Sequence, residues 1–363
     1  MPPLVKRLLT VLVCLLWIPI GGELFLRVFD PIAITPRFIQ SGTHGIRENI
    51  PGSRYHHVSR EYFVPFSINE QGMRDHREFQ PAAAPGMLRI ALIGDSFGMG
   101  YGVSYEDSVP ALLESKLSES MNAPVEVINL SVSGFGTAEE LITLDDRGWE
   151  LNPDVVICYF HPGDLSDNVR SQLFRLDDGA LVRWKDQYLP AVKLRTKLFS
   201  YSAYRWMAQY SQFYSWIRNR AGRYSREVLA SLRGREPERA DSTNPDPPEV
   251  IGYPTRLTLE LMSRIKEQCA KHDAKFIVLS IPVRKERAVF SERFPQKAAE
   301  ALGFDITPVS PIRCFEQHPG ELVYWEHSAG HWSPVGTNCV AEALASRVRE
   351  LSSTPALESS SGD

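Results

Sequence analysis

Leu88-Arg89-Ile90-Ala91-Leu92-Ile93-Gly94-Asp95-Ser96-Phe97-Gly98-Met99-Gly100 is a short apolar run that passes directly into a glycine-flanked serine. A run of this length and composition suits a strand buried on both faces of a parallel sheet. A serine just past such a strand sits on a tight turn at the carboxyl edge of the sheet. There its hydroxyl is accessible and its backbone N–H can point at a substrate oxygen, as an activated nucleophile requires. The same glycines could cradle a phosphate, but the stretch lacks the lysine of a P-loop and the full G-x-G-x-x-G spacing. Gly-Asp-Ser alone is a weak signal, so the rest of the chain has to support it.

Outward from this stretch, further apolar runs lie at Val125–Leu130, Asp154–Phe160 and Lys275–Ile281, with a weaker one at Phe304–Ile306. Between them, helical patterns cover Ser108–Met121, Thr137–Leu151, Pro254–His272 and Pro334–Leu351. Strands alternating with helices predict an α/β fold with a parallel sheet and right-handed crossovers. In such sheets the chemistry sits in the loops after the strands. Residues 31–87 read as an irregular lead-in packing on the main domain, with one alternating strand and turn at Tyr62–Gly72.

The chain has 363 residues, 43% hydrophobic and 23% charged, enough for one globular core and unlike a disordered, collagenous or coiled-coil chain. Its net charge of −4 is a cancellation. In the long crossover after Asp154–Phe160, residues 181–235 carry twelve Lys and Arg against Asp186 and Glu227, about +10 in an aromatic setting. A connection that long is an inserted functional element, here a basic aromatic helical insertion at about 181–250 with a Pro-rich return linker at 236–249. Its aromatic residues are expected to form the apolar faces of two or three helices, with a surface for anionic lipid or acidic glycan as the alternative. Residues 352–363 read as a disordered tail.

Lys6 and Arg7 before the apolar run Leu8–Ile20 predict an export signal anchor or transmembrane segment within 1–30, and so a membrane-anchored, extracytoplasmic location on the periplasmic face. Export argues against a nucleic-acid partner. The five cysteines are far apart, with no C-x-x-C pair, and their odd number argues against a dense disulfide framework.

With these blocks in order, the chain resembles the SGNH or GDSL hydrolase family over roughly Arg89–Leu351. The first block is Gly94-Asp95-Ser96. The second is Asn129-Leu130-Ser131-Val132-Ser133-Gly134-Phe135-Gly136-Thr137, and the last is Gly330-His331-Trp332-Ser333-Pro334-Val335-Gly336. The resemblance implies a three-layer α/β/α sandwich with a flavodoxin-like sheet. It implies Ser96 as nucleophile, His331 as base, and the N–H groups of Ser96 and Gly134 in an oxyanion hole. Two blocks depart from the family pattern. Phe160-His161-Pro162-Gly163-Asp164 puts Gly163 where the family has an oxyanion-hole asparagine, a loss worth roughly 10² to 10³ in rate unless a water, the Gly163 backbone N–H or His161 substitutes. The acid expected two or three residues before the histidine is replaced by Ser328 and Ala329, which leaves Glu326 or a backbone carbonyl to orient His331.

Among the other candidates, Asp95 is expected to hold the turn, and Asp164 and Asn168 to fix the active-site loop through side-chain to backbone bonds. His56, His57 and His318 are expected to be solvated. Glu326-His327 and His331 have a metal-pair spacing, but Gly330 and Pro334 make the stretch a loop, so no metal and no organic cofactor is expected. The expected function is hydrolysis of an ester on a small molecule, glycan or lipid. The alternatives are O-acyl transfer to an exopolysaccharide, or a catalytically degenerate domain that only binds.

Overall fold

The computed structural model describes residues 2–186, 190–221, 251–286, 288–327 and 330–353, with the side chains of 8, 9, 11, 12, 14–16 and 190–192 left aside. The return linker at 236–249, the basic residues Arg223 to Arg235, the tail from 354, and Ser328 with Ala329 lie outside these residues.

The chain begins with helix α1 (Pro3–Phe29). Two antiparallel hairpins follow, β1 (Ile39–Ser41) with β2 (Arg47–Asn49) and β3 (Arg54–Val58) with β4 (Phe63–Ser67). The main body then runs through β5 (Leu88–Ile93), α2 (Val109–Met121), β6 (Val125–Asn129), α3 (Thr137–Thr143), β7 (Val155–Phe160) and α4 (Asp164–Ser171). A hairpin of β8 (Phe174–Asp177) and β9 (Ala180–Arg183) leads to the inserted helices α5 (Pro190–Phe199) and α6 (Ser202–Tyr210), and residues 212–221 are also helical. The body resumes with α7 (Tyr253–Lys271) and β10 (Lys275–Ser280). It continues through the hairpin β11 (Val283–Glu286) and β12 (Val289–Ser291), the short helices α8 (Gln296–Ala301) and α9 (Ile312–Glu316), and α10 (Pro334–Ser353).

Four strands form a parallel sheet in the order β6-β5-β7-β10. This is the flavodoxin-like order, and its switch point lies between β5 and β7. Alternation along each strand sends side chains to two different cores. Ala91, Ile93, Ile128, Val156 and Cys158 pack against α3 and α7, through Leu141, Leu257, Leu261 and Ile265. Ile90, Leu92, Val127, Ile157 and Leu279 pack against α2 and α10, through Leu113, Leu117, Val340 and Leu344. The result is a three-layer α/β/α sandwich. Strands apolar on both faces are what such a sheet needs, which is why their sequences show no polar alternation.

Two expectations are corrected. Phe304–Ile306 forms no strand; the fifth edge position is reduced to a parallel bridge between Leu279 and Val309. The helix expected over Thr137–Leu151 is α-helical only to Thr143, then passes through a π turn at Leu144–Gly148 and a 3₁₀ turn at Trp149–Leu151. Among the described residues no helix is long and apolar enough to cross a membrane. α1 is docked onto the insertion. Glu23 accepts hydrogen bonds from the Ser211 hydroxyl and from the Gln212 and Phe213 amides, and Arg27 donates to the Tyr210 carbonyl. Glu23 thus caps the start of the 212–221 helix, where a carboxylate is favoured.

The lead-in and the insertion share a third core. Phe38, Tyr55, Val64 and Phe66 pack with Phe199 and Ala208 and with Met99 and Tyr101, just beyond Ser96. Phe199 is therefore an apolar helix face, whereas Tyr201, Trp206 and Tyr210 are exposed. Cys314 and Cys339 form one disulfide, while Cys158 and Cys269 are free and buried.

Candidate active site

β5 delivers Ser96, and the loop before α10 delivers His331, with Ser96 Oγ 2.8 Å from His331 Nε2. The two residues are 235 positions apart in sequence. Six hydrogen bonds hold the serine's turn. Asp95 Oδ1 accepts the Phe97 amide at 2.8 Å, and the Met99 amide donates to the Asp95 carbonyl. The guanidinium of Arg74, itself buried, donates to the carbonyls of Met99 and Gly100 at 2.7 Å and of Val103 at 2.8 Å. Asn129 Nδ2 donates to the Gly98 carbonyl. Asp95 therefore holds the turn through its carboxylate.

Aromatic rings fix the histidine. Phe97 lies 4.8 Å from the His331 ring and Tyr101 5.3 Å, and buried Trp332 meets Phe97 edge-on. The His331 carbonyl accepts the Trp325 amide, and Tyr324 bridges Trp332 across the loop. Glu326 and His327 are exposed, and both of their amides donate to the carboxylate of Glu61. Glu61, from the lead-in, was not singled out in the sequence, although it holds the loop that carries the histidine.

Gly134 lies in the loop after β6 with φ +84, a conformation that favours glycine. A Cβ there would come 2.9 Å from Arg47 Nη1, which donates to the Gly134 carbonyl. Arg47 in turn faces Glu139 at 3.8 Å. Among the described residues, the amides of Ser96 and Gly134 have no protein acceptor. Buried Asn168 secures this loop. Its Oδ1 accepts the Ala138 amide at the start of α3, and its Nδ2 donates to Thr258 on α7.

The loop after β7 is different. Asp164 Oδ2 accepts the His161 amide at 2.9 Å, and the Gly163 amide donates to His161 Nδ1 at 3.0 Å. The Gly163 N–H is thus engaged within its own loop, which removes it from the expected oxyanion hole. His161 stacks on Phe97, the ring that also packs on His331, at 5.6 Å. With Nδ1 accepting, a neutral His161 carries its proton on Nε2.

Beneath these loops lies a group of buried carboxyls. Burial pushes Glu140 and Asp164 well above the usual carboxylate range, and the neighbouring Asp95 carboxyl raises both further. Burial also pushes Glu139 up to about 7 against the pull of Arg47.

His57 is fully buried, contrary to the expectation that it is solvated. Strand alternation in β3 turns it inward between Phe66 and Tyr101, and its Nε2 lies 3.0 Å from the Pro36 carbonyl. Burial pushes its pKa well below the usual value, so it is neutral. His318 is half-buried rather than solvated, with Nδ1 2.8 Å from the Cys314 carbonyl. Cys314, His318 and Cys339 are the one metal-type cluster among the described residues, and its two sulfurs are bonded to each other.

No protein-family model and no curated protein matches the chain. Among solved structures it is similar to an acetyl xylan esterase, AlAXEase, at 12% identity and TM-score 0.39, covering 72% of this chain and 100% of that one. It is similar to TesA at 14% and 0.38, covering 72% and 99%. A putative lipolytic protein of the G-D-S-L family from Desulfitobacterium hafniense gives 13% and 0.37, covering 71% and 98%. At these TM-scores the geometry of Ser96 and His331, and not the likeness, has to carry a functional reading.

Proposed function

We propose that this chain, which has the fold of SGNH (GDSL) hydrolases, is a serine hydrolase acting on esters. The observation that carries the reading is the 2.8 Å approach of Ser96 Oγ to His331 Nε2 at the carboxyl edge of the sheet. That distance is within the reach a nucleophile needs from its base. Ser96 Oγ attacks the ester carbonyl carbon as its proton passes to His331 Nε2. The amides of Ser96 and Gly134 hold the oxyanion, and the Nε2–H of His161 takes the place of the missing asparagine. Collapse of the tetrahedral intermediate breaks the bond to the alcohol, which leaves with the proton from His331. Water then attacks the acyl-serine and gives its proton to the same nitrogen; the bond to Ser96 Oγ breaks, Oγ takes that proton back, and the acid is released. Glu326 stands as the proposed carboxylate that orients His331, since it precedes the histidine on the loop held by Glu61.

A fluorophosphonate probe tests the reading. The wild-type chain should label at Ser96 and the Ser96→Ala variant should not; equal labelling of the two would sink it.

We also propose that the protein works outside the cytoplasm. The basic-flanked apolar run at Leu8–Ile20 and the Cys314–Cys339 disulfide both support this, since disulfides persist in oxidising compartments. Exposed Phe25, Phe29, Trp206 and Tyr210, on the docked α1 and α6, support contact with a lipid surface. An alkaline phosphatase fusion at the C-terminus, active only after export, should be active; an inactive but stable fusion would place the chain inside.

A further inference from the structure

Three arginines from separate segments converge beside the oxyanion loop. Arg37 comes from the lead-in before β1, Arg195 from α5, and Arg218 from the 212–221 helix. A Cβ on Gly134 would lie 3.4 Å from Arg37 Nη1. Arg37 is also close enough to Asp95 to favour its charged form, which places it near Ser96. Burial pushes Arg195 and Arg218 below the usual arginine range, and the charge of Arg37 depresses both further. Arg218 also feels Tyr101, the ring that packs on His331.

Among the described residues none of the three has a carboxylate partner. Arg47 differs, since it faces Glu139. Arg218 donates only to the side-chain oxygen of its neighbour Asn219, at 3.3 Å, and Arg37 is exposed. Like charges gathered this closely, two of them half-buried, destabilise one another in the free protein. A bound anion would reverse that cost, and the planar fork of arginine suits carboxylate, sulfate and phosphate alike.

We propose that Arg37, Arg195 and Arg218 form an anion subsite next to Ser96, and that the ester the site accepts is an O-acylated acidic saccharide. The inference rests on the hydrolase reading and names its substrate class. Two features favour a saccharide over an anionic lipid. The apolar rings beside the catalytic pair, Phe97, Tyr101 and Trp332, are buried against one another and against His57 and His331, so they present little apolar surface to a long acyl chain. The groups around the arginines are polar, with the Tyr204 and Tyr214 hydroxyls 2.5 Å apart between Arg195 and Arg218. Such hydroxyls suit a ligand rich in its own.

The test uses binding, so that it stands apart from turnover. Full-length Ser96→Ala protein is titrated calorimetrically with oligogalacturonate, with the neutral oligogalactoside of equal length, and with phosphatidylglycerol vesicles. The acidic saccharide should bind roughly tenfold or more tightly than the neutral one, with affinity falling as salt rises. Arg37→Ala and Arg218→Ala should remove that difference, and Arg218→Lys should restore part of it. Arg37 is exposed, so its variant keeps the fold. Equal affinity for the two saccharides would overturn the anion subsite. Arginine-dependent binding of vesicles without binding of the acidic saccharide would overturn the saccharide. Failure of Ser96 to label with fluorophosphonate would instead overturn the hydrolase reading and leave the binding result standing.

Discussion

The loops after β6 and β7 leave the same sheet edge, yet they treat their glycines in opposite ways. Around Gly134 the backbone is held from behind, by Arg47 on the carbonyl and Asn168 on the next turn, and among the described residues the amide has no protein acceptor. Around Gly163 the amide is bonded to His161 Nδ1, three residues past the end of the strand. The comparison teaches that a glycine in a family's block is not equivalent to a free N–H. What counts is which neighbour has already claimed the hydrogen. In the second loop that neighbour is an imidazole, whose other nitrogen is left as the donor.

Four measurements test this difference between the loops. The largest effect is expected at the shared centre. Ser96→Ala or His331→Ala should each lower kcat/KM for an ester by roughly 10⁴-fold or more, and the double variant should lose little beyond either single one. Additive losses would mean that the two do not act as a unit. Next, Gly134→Ala forces a side chain into a positive-φ site against Arg47, and should lower kcat by about 10² to 10³-fold. An unchanged kcat would show that this amide does not meet the oxyanion.

His161→Ala removes the donor proposed for the other loop and should cost roughly 10 to 10²-fold in kcat with little change in KM. Adding Gly163→Asn to that variant should recover part of the loss; if neither change alters kcat, the second loop plays no part in the reaction. The smallest effect is on stability. Glu139 has a raised pKa in the folded state, so its contribution is fully present below about 4.5 and is lost as pH rises to about 7. Over that window the wild type should lose about 3 kcal/mol relative to Glu139→Gln, read from urea unfolding at pH 5 and pH 7.5. Parallel pH curves for the two proteins would show that the buried carboxyl does not titrate as described.

The four sheet strands were legible in the sequence because both faces are buried, so Ile90-Ala91-Leu92-Ile93 reads as one apolar run. The serine and histidine were legible through the glycines and the order of the blocks. What remained hidden depended on partners distant in sequence. Arg74 is a surface-type residue by composition, yet it bonds three carbonyls of the serine turn from a segment with little regular structure. Glu61 and Arg47 act through the same kind of long-range contact. His57 was misread because the alternation of β3 is carried by aromatic and imidazole rings rather than aliphatic residues. The basic insertion showed in the sequence only as a charge excess; bringing Arg195 and Arg218 near Arg37 requires the insertion to fold back over the lead-in.

The Cys314–Cys339 bridge closes a ring of chain 25 residues apart, and His331 lies within it. Closing a loop of that size removes about 3 kcal/mol of chain entropy from the unfolded state. The nucleophile depends on no such ring, since Ser96 is held by the sheet and by Arg74. In a reducing environment Ser96 would therefore be set while His331 still sits on a slack tether. On the proposed reading, activity is expected to mature with oxidation, so that an exported copy is competent where a retained one is not.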